Sequence, residues 1–107
     1  MKLILAIVSD DDGSRVQGGL TKNGYQVTRL ATTGGFLMSG NTTFICGTQD
    51  DKVEDAIRII GEHSKSRKEM VPASASYGVG MYTAFPVQVS VGGATIFVLD
   101  VAQFTKL

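Results

Sequence analysis

The chain has 107 residues, 43% of them hydrophobic, and its ten lysines and arginines balance ten aspartates and glutamates to a formal net charge of zero. That length suits one domain, spanning residues 1–107, with a core that needs neither disulfides nor metal. A neutral balance argues against binding to nucleic-acid polymers or anionic membranes, which takes clustered positive charge, and a lone cysteine, Cys46, leaves no intrachain disulfide.

Residues 3–8 are apolar at every position and predict a strand buried on both faces. This run is too short for the apolar region of a signal peptide, and no segment approaches the ~20 apolar residues of a membrane span. The expectation is a cytoplasmic protein. Asp10, Asp11 and Asp12 follow. Any of them can cap a helix over residues 12–23, with Val16 and Leu20 on its apolar stripe. Magnesium ligation is the competing use of three adjacent carboxylates, and capping suits a strand-to-helix turn better. Gly18 and Gly19 inside the helix cost about 1 kcal/mol each relative to alanine, which points to a close neighbour. A second strand is expected over 25–32, with Gln26, Thr28, Leu30 and Thr32 on one side and Tyr25, Val27, Arg29 and Ala31 on the other.

Residues 33–41 read as a loop containing Gly34, Gly35 and Gly40, and 42–48 as a third strand in which Cys46 is an inert core thiol. Asp51 and Glu54 stand at capping-box spacing ahead of Val53, Ala56, Ile57 and Ile60, which predicts a helix ending near 63–67. Residues 69–85 show no period and make a long loop of the kind that is functional or disordered. Strands over 86–91 and 94–101 enclose Gly92 and Gly93, which read as a two-residue hairpin turn. The order fits an α+β, ferredoxin-like βαββαβ sandwich with an added C-terminal strand. Two helices cover one face of such a sheet, yet residues 3–8 and 96–101 are apolar on both sides. A further copy of the chain is the simplest cover for the second face.

Few residues suggest catalysis. His63, the only histidine, sits in a polar helix end and reads as a surface residue. There is no Cys/His metal spacing, phosphate loop or nucleophile elbow. The glycine-rich loop is more informative. Glycines let backbone amides approach a ligand, and Phe36 and Leu37 between them need an apolar partner: the subunit's own core, a neighbouring subunit, or a flat ligand such as a purine. Asn41 and Thr28 offer hydrogen bonds to base edges or phosphate. A nucleotide pocket and a tight structural turn both fit this chemistry.

The stretch from Thr28 to Phe44, containing Leu30-Ala31-Thr32-Thr33-Gly34-Gly35-Phe36-Leu37 and Gly40-Asn41-Thr42-Thr43-Phe44, closely resembles the PII-like cyclic di-AMP receptor family. The opening residues 1–8 and the stretch 86–99 match as well, so the resemblance spans nearly the whole chain and is weakest over 66–85. It implies a ferredoxin-like subunit in a homotrimer, with cyclic di-AMP bound in the clefts between subunits and the signal passed on through loops. It also implies a non-enzymatic signal transducer with no cofactor beyond its ligand. Carried over by position, the resemblance places Thr28, Phe36, Leu37, Asn41, Gly47, Gly92 and Gly93 in the ligand site. Phe36 and Leu37 would enclose an adenine, while Asn41 and Thr28 would make polar contacts. Gln26 stands where the family commonly has arginine, a change that removes a bidentate phosphate partner. Gly24 replaces a frequent asparagine, and the ending Phe104-Thr105-Lys106-Leu107 differs from the usual Phe-His-Gln-Phe. Residues 69–85 are the candidate contact for an unidentified protein target.

Overall fold

The computed structural model describes residues 1–30, 40–72 and 86–107. Along the chain run β1 (Lys2–Ser9), α1 (Asp10–Lys22), β2 (Thr28–Leu30), β3 (Asn41–Thr48), a 3-10 turn (Asp50–Lys52), α2 (Val53–His63), β4 (Arg67–Pro72), β5 (Pro86–Val91) and β6 (Ala94–Asp100). A four-stranded antiparallel sheet has the order β2-β3-β1-β6, and β4 and β5 form a separate two-stranded sheet. Two helices on one face of the larger sheet make this an α+β, ferredoxin-like domain.

Alternation along the strands sorts the two faces. Ile4, Ala6 and Val8 of β1 and Phe44 and Cys46 of β3 turn toward the helices, where they meet Val16 and Leu20 of α1 and Ala56, Ile59 and Ile60 of α2 in one buried cluster. On the other face Leu3, Leu5 and Ile7 are only half-buried. The expectation that residues 3–8 are buried on both sides therefore fails for the single chain. Register places Leu5 beside Ile45 and Phe97, and Leu3 beside Gly47 and Leu99. Phe97 is 53% exposed and Leu99 47%, so this open face is apolar and uncovered by the described residues of its own subunit.

Helix starts differ from the sequence expectation. Ser9, in extended conformation, caps α1 by accepting the Asp11 amide at 3.4 Å, so the aspartates fill the first turn instead of capping it. Their charge still suits the positive end of the helix. The capping box at Asp51 and Glu54 does not form, because a 3-10 turn precedes α2 and its N-cap, Lys52, makes no side-chain cap bond. Of the two helical glycines, Gly19 has the close neighbour: a Cβ there would lie 2.6 Å from the His63 ring. His63 is accordingly half-buried against α1 and is not a free surface residue. Gly18 faces open space.

The largest departure lies in the last third. Gly92 and Gly93 do not turn a hairpin. β5 pairs with β4, with Arg67 opposite Val91 and Pro72 opposite Pro86, whereas β6 pairs with β1, with Ala94 opposite Val8. Both glycines take left-handed φ, 83° and 84°, and carry the chain from one sheet to the other. Part of the segment read as a structureless loop is thus strand β4. β6 takes the fourth place in the larger sheet, and the extra strands form a ribbon inserted before it.

Candidate functional site

A cleft of about 500 Å³ opens where the C-terminal end of β1, the start of α1, the start of β3 and the β5–β6 junction meet. Ser9, Asp11, Asn41, Ser90, Gly92 and Gly93 contribute to its wall. The fold brings these together for simple reasons. β1 and β3 are antiparallel with Ser9 opposite Asn41, so the end of one strand is the start of the other. The two glycines arrive there because Ala94 is registered against Val8.

Three of the sequence-selected residues, Asn41, Gly92 and Gly93, therefore share one cleft. Gln26 and Gly47 do not join them. They line a second cleft of about 280 Å³ with Gly24, Tyr25 and Lys52 at the other end of the sheet. Gly47 sits six positions along β3 from Asn41, roughly 20 Å at about 3.4 Å per residue. Thr28 lies between the two clefts on the edge strand β2, opposite Ile45 and on the open face. Phe36 and Leu37 lie outside the described residues.

Around the first cleft is a polar scaffold that sequence reasoning did not assign. The three aspartates diverge. Asp10 accepts from the Thr42 hydroxyl, which also accepts from Arg29 at 3.2 Å, and the Asp10 amide donates to the Gly40 carbonyl at 3.0 Å. Asp11 is exposed and faces the cleft. Asp12 is fully buried and pairs with Arg15 and with Arg67, the latter at 3.1 and 3.3 Å. Carboxylates aimed in three directions do not converge on one ion, and no metal-holding group of three or more His, Cys, Asp or Glu occurs among the described residues. The i,i+3 spacing of Asp12 and Arg15 was visible in the sequence. Arg67, 55 residues away from Asp12, left no such trace.

Two titrating groups define the second cleft's surroundings. Burial, and then the hydrogen bond to the Asp55 carboxylate at 2.7 Å, push the Tyr25 phenol up to about 12. Arg58, followed by Tyr25, holds Asp55 below the usual carboxylate range. Cys46 is buried, and burial raises its thiol, so it is the inert core residue the sequence suggested.

A family model described as the cyclic-di-AMP receptor matches residues 1–107, the whole chain. The chain belongs to the cyclic-di-AMP receptor family. A crystal structure of a protein described as functionally unknown, from Pediococcus pentosaceus ATCC 25745, is similar over 99% of this chain and 96% of its own, with 38% identity and a TM-score of 0.76. Membership supports binding of cyclic di-AMP in signal transduction, and the family is one of receptors. Among the described residues no helix is long and apolar enough to cross a membrane.

Proposed function

We propose that this chain is a cytoplasmic cyclic di-AMP receptor that works as a homotrimer, with ligand bound between subunits and the signal relayed through loops. The observation that carries the reading is the division of the site. Asn41, Gly92 and Gly93 line a cleft at one end of the sheet, and Gln26 and Gly47 line another at the far end. A single subunit cannot close both around one ligand, but a neighbour presenting its far end can complete the first cleft. The apolar open face, with Leu5, Ile45, Phe97 and Leu99, supplies the surface that such an assembly would bury.

In this arrangement Phe36 and Leu37 enclose an adenine, and Asn41 and Thr28 give polar contacts to base or phosphate. Gly47, Gly92 and Gly93 let the ligand lie close to backbone. The protein acts by binding, with no catalysis and no further cofactor, and residues 69–85 present a surface to a protein target. Gln26 supports a second reading. Without a guanidinium at that position the phosphate loses a bidentate partner, which suits a trimer tuned to another adenine nucleotide or acting through protein partners alone.

Calorimetric titration with cyclic di-AMP, cyclic di-GMP and ATP in parallel tests both. Selective binding of cyclic di-AMP near one per subunit supports the receptor reading, and loss of that binding in Asn41→Ala supports the cleft. Binding of ATP alone, or of none of the three, favours the second. Phosphate release from ATP, or ring opening of either cyclic dinucleotide to its linear form, in the presence of magnesium would overturn the non-enzymatic assignment.

A further inference from the structure

Asp12 is a fully buried carboxylate, and its partners lie on two different elements. Arg15 reaches it from one turn along α1. Arg67, the first residue of β4, grips it with both terminal nitrogens, Nη2 on Oδ1 at 3.1 Å and Nη1 on Oδ2 at 3.3 Å. Such a two-point grip fixes orientation as well as distance.

Gly92, the first residue after β5, lies against the same pair. A Cβ placed there would stand 2.5 Å from the Lys65 carbonyl oxygen, 2.7 Å from Arg67 Nη1 and 3.3 Å from Asp12 Oδ2. The next amide, Gly93, donates to the carbonyl of buried Ser64. Both roots of the β4–β5 ribbon are therefore anchored within one small region. That region adjoins the large cleft, because Gly92, Gly93 and Asp11 line the cleft and Asp12 is next in sequence.

The geometry points to Asp12 and Arg67 as a positioning pair that couples occupancy of this cleft to the setting of the ribbon. The space between Gly92 and the Arg67 guanidinium is too small for even a methyl group. A ligand that pushes the Gly92–Gly93 backbone toward Arg67 therefore meets the guanidinium within a short travel, and displacement at the cleft becomes movement at the ribbon root. Contacts of this kind have discrete arrangements and do not deform smoothly. The pair touches no ligand and acts through Gly92. The coupling part of the inference rests on the cyclic di-AMP reading above, whereas the anchoring part does not.

Hydrogen exchange on the full-length protein, with and without saturating cyclic di-AMP, tests it in wild type, Arg67→Gln and Arg15→Gln. Without ligand, R67Q should speed exchange over 67–72 and 86–91 by about tenfold or more, as loss of a charge-assisted hydrogen bond implies, and leave β1 and β3 unchanged. R15Q removes a bond to the same carboxylate but leaves both Arg67–Asp12 bonds in place, so ribbon exchange should match wild type. With ligand, wild type should show altered ribbon exchange, while R67Q should bind within about threefold of wild-type affinity and show no ribbon response. Unchanged ligand-free exchange in R67Q overturns the anchoring, and an intact ligand response in R67Q overturns the coupling. Should R67Q fail to fold, R67K decides the anchoring: faster ribbon exchange supports it and wild-type exchange overturns it. A wild-type protein that binds no cyclic di-AMP would sink the receptor reading and with it the coupling, while the ligand-free comparison would still judge the anchor.

Discussion

Replacing Gly92 by alanine tests the description of the β5–β6 junction. Two costs add. A φ of 83° is left-handed, and a side chain held there costs roughly 1–2 kcal/mol. The new Cβ would also stand 2.5 Å from the Lys65 carbonyl oxygen, a backbone atom that cannot swing aside, and overpacking of this kind costs about 1–3 kcal/mol. Gly93 provides the control: its φ of 84° is the same, but its nearest neighbour is the Ser66 Cβ at 3.8 Å. Gly93→Ala should therefore show the backbone cost alone. The difference between the two variants, about 1–3 kcal/mol, corresponds to a gap in Tm of roughly 4–20 °C at matched protein concentration. Thermal unfolding followed by circular dichroism measures it. Equal melting temperatures for the two variants would refute the close contact with Lys65 and Arg67. They would also favour an ordinary hairpin turn, in which both glycines face solvent.

Three further outcomes follow from other parts of the molecule. Phe97→Asp places a charge on the open face; burying the half-exposed ring, on the order of 100 Å² more, is worth about 2–3 kcal/mol. Light scattering should accordingly report about three times the 11.4 kDa chain mass for wild type and a single chain for the variant. Gly18→Ala should stabilise by about 0.5–1 kcal/mol in urea unfolding, since nothing lies within 4 Å of the added carbon. Tyr25 has a folded-state pKa of about 12 against an ordinary 10.0. Its contribution is complete below pH ~10 and is lost as pH rises toward ~12. Wild-type stability should fall through that window, and Tyr25→Phe should flatten the fall at the expense of lower stability at neutral pH.

The helix side of the layered core was legible because local pattern and tertiary demand agree there. Val16 and Leu20 fall on one helix stripe, whereas residues 3–8 are apolar at every position, and only the fold separates buried Ile4, Ala6 and Val8 from half-buried Leu3, Leu5 and Ile7. The Gly92–Gly93 junction misled for a definite reason. Two glycines between two apolar runs carry a local hairpin signal, but local sequence does not say which strand each run will pair with. β5 found β4 and β6 found β1, so the decision was taken by long-range register. Strand β4 was hidden for a related reason: Arg67 and Lys68 read as the basic end of a helix and Glu69 as the start of a loop, and the strand form depends on a partner about 20 positions further on. Asp12 shows the same limit at a single residue. Its two neighbours in the triplet face solvent or a hydroxyl, and nothing local distinguishes the one that the fold buries beneath Arg67.

The division of the site has the same origin and bears on assembly. Thr28, Asn41 and Gly47 share the open face by parity alone, as antiparallel register with β1 and β2 requires. Parity brings residues to a common face but not to a common end, and six positions of β3 separate Asn41 from Gly47. If both contribute to one ligand, they must come from different copies. The residues that would bind and the apolar residues that would be covered, Leu5, Ile45, Phe97 and Leu99, then belong to one surface. Binding and assembly should be linked: cyclic di-AMP should raise the stability of the oligomer by mass action, and Phe97→Asp should lose ligand affinity although Phe97 lines neither cleft. Retention of wild-type affinity in a monomeric Phe97→Asp protein would show that one subunit suffices and that the far cleft, with Gln26 and Gly47, plays no part in binding.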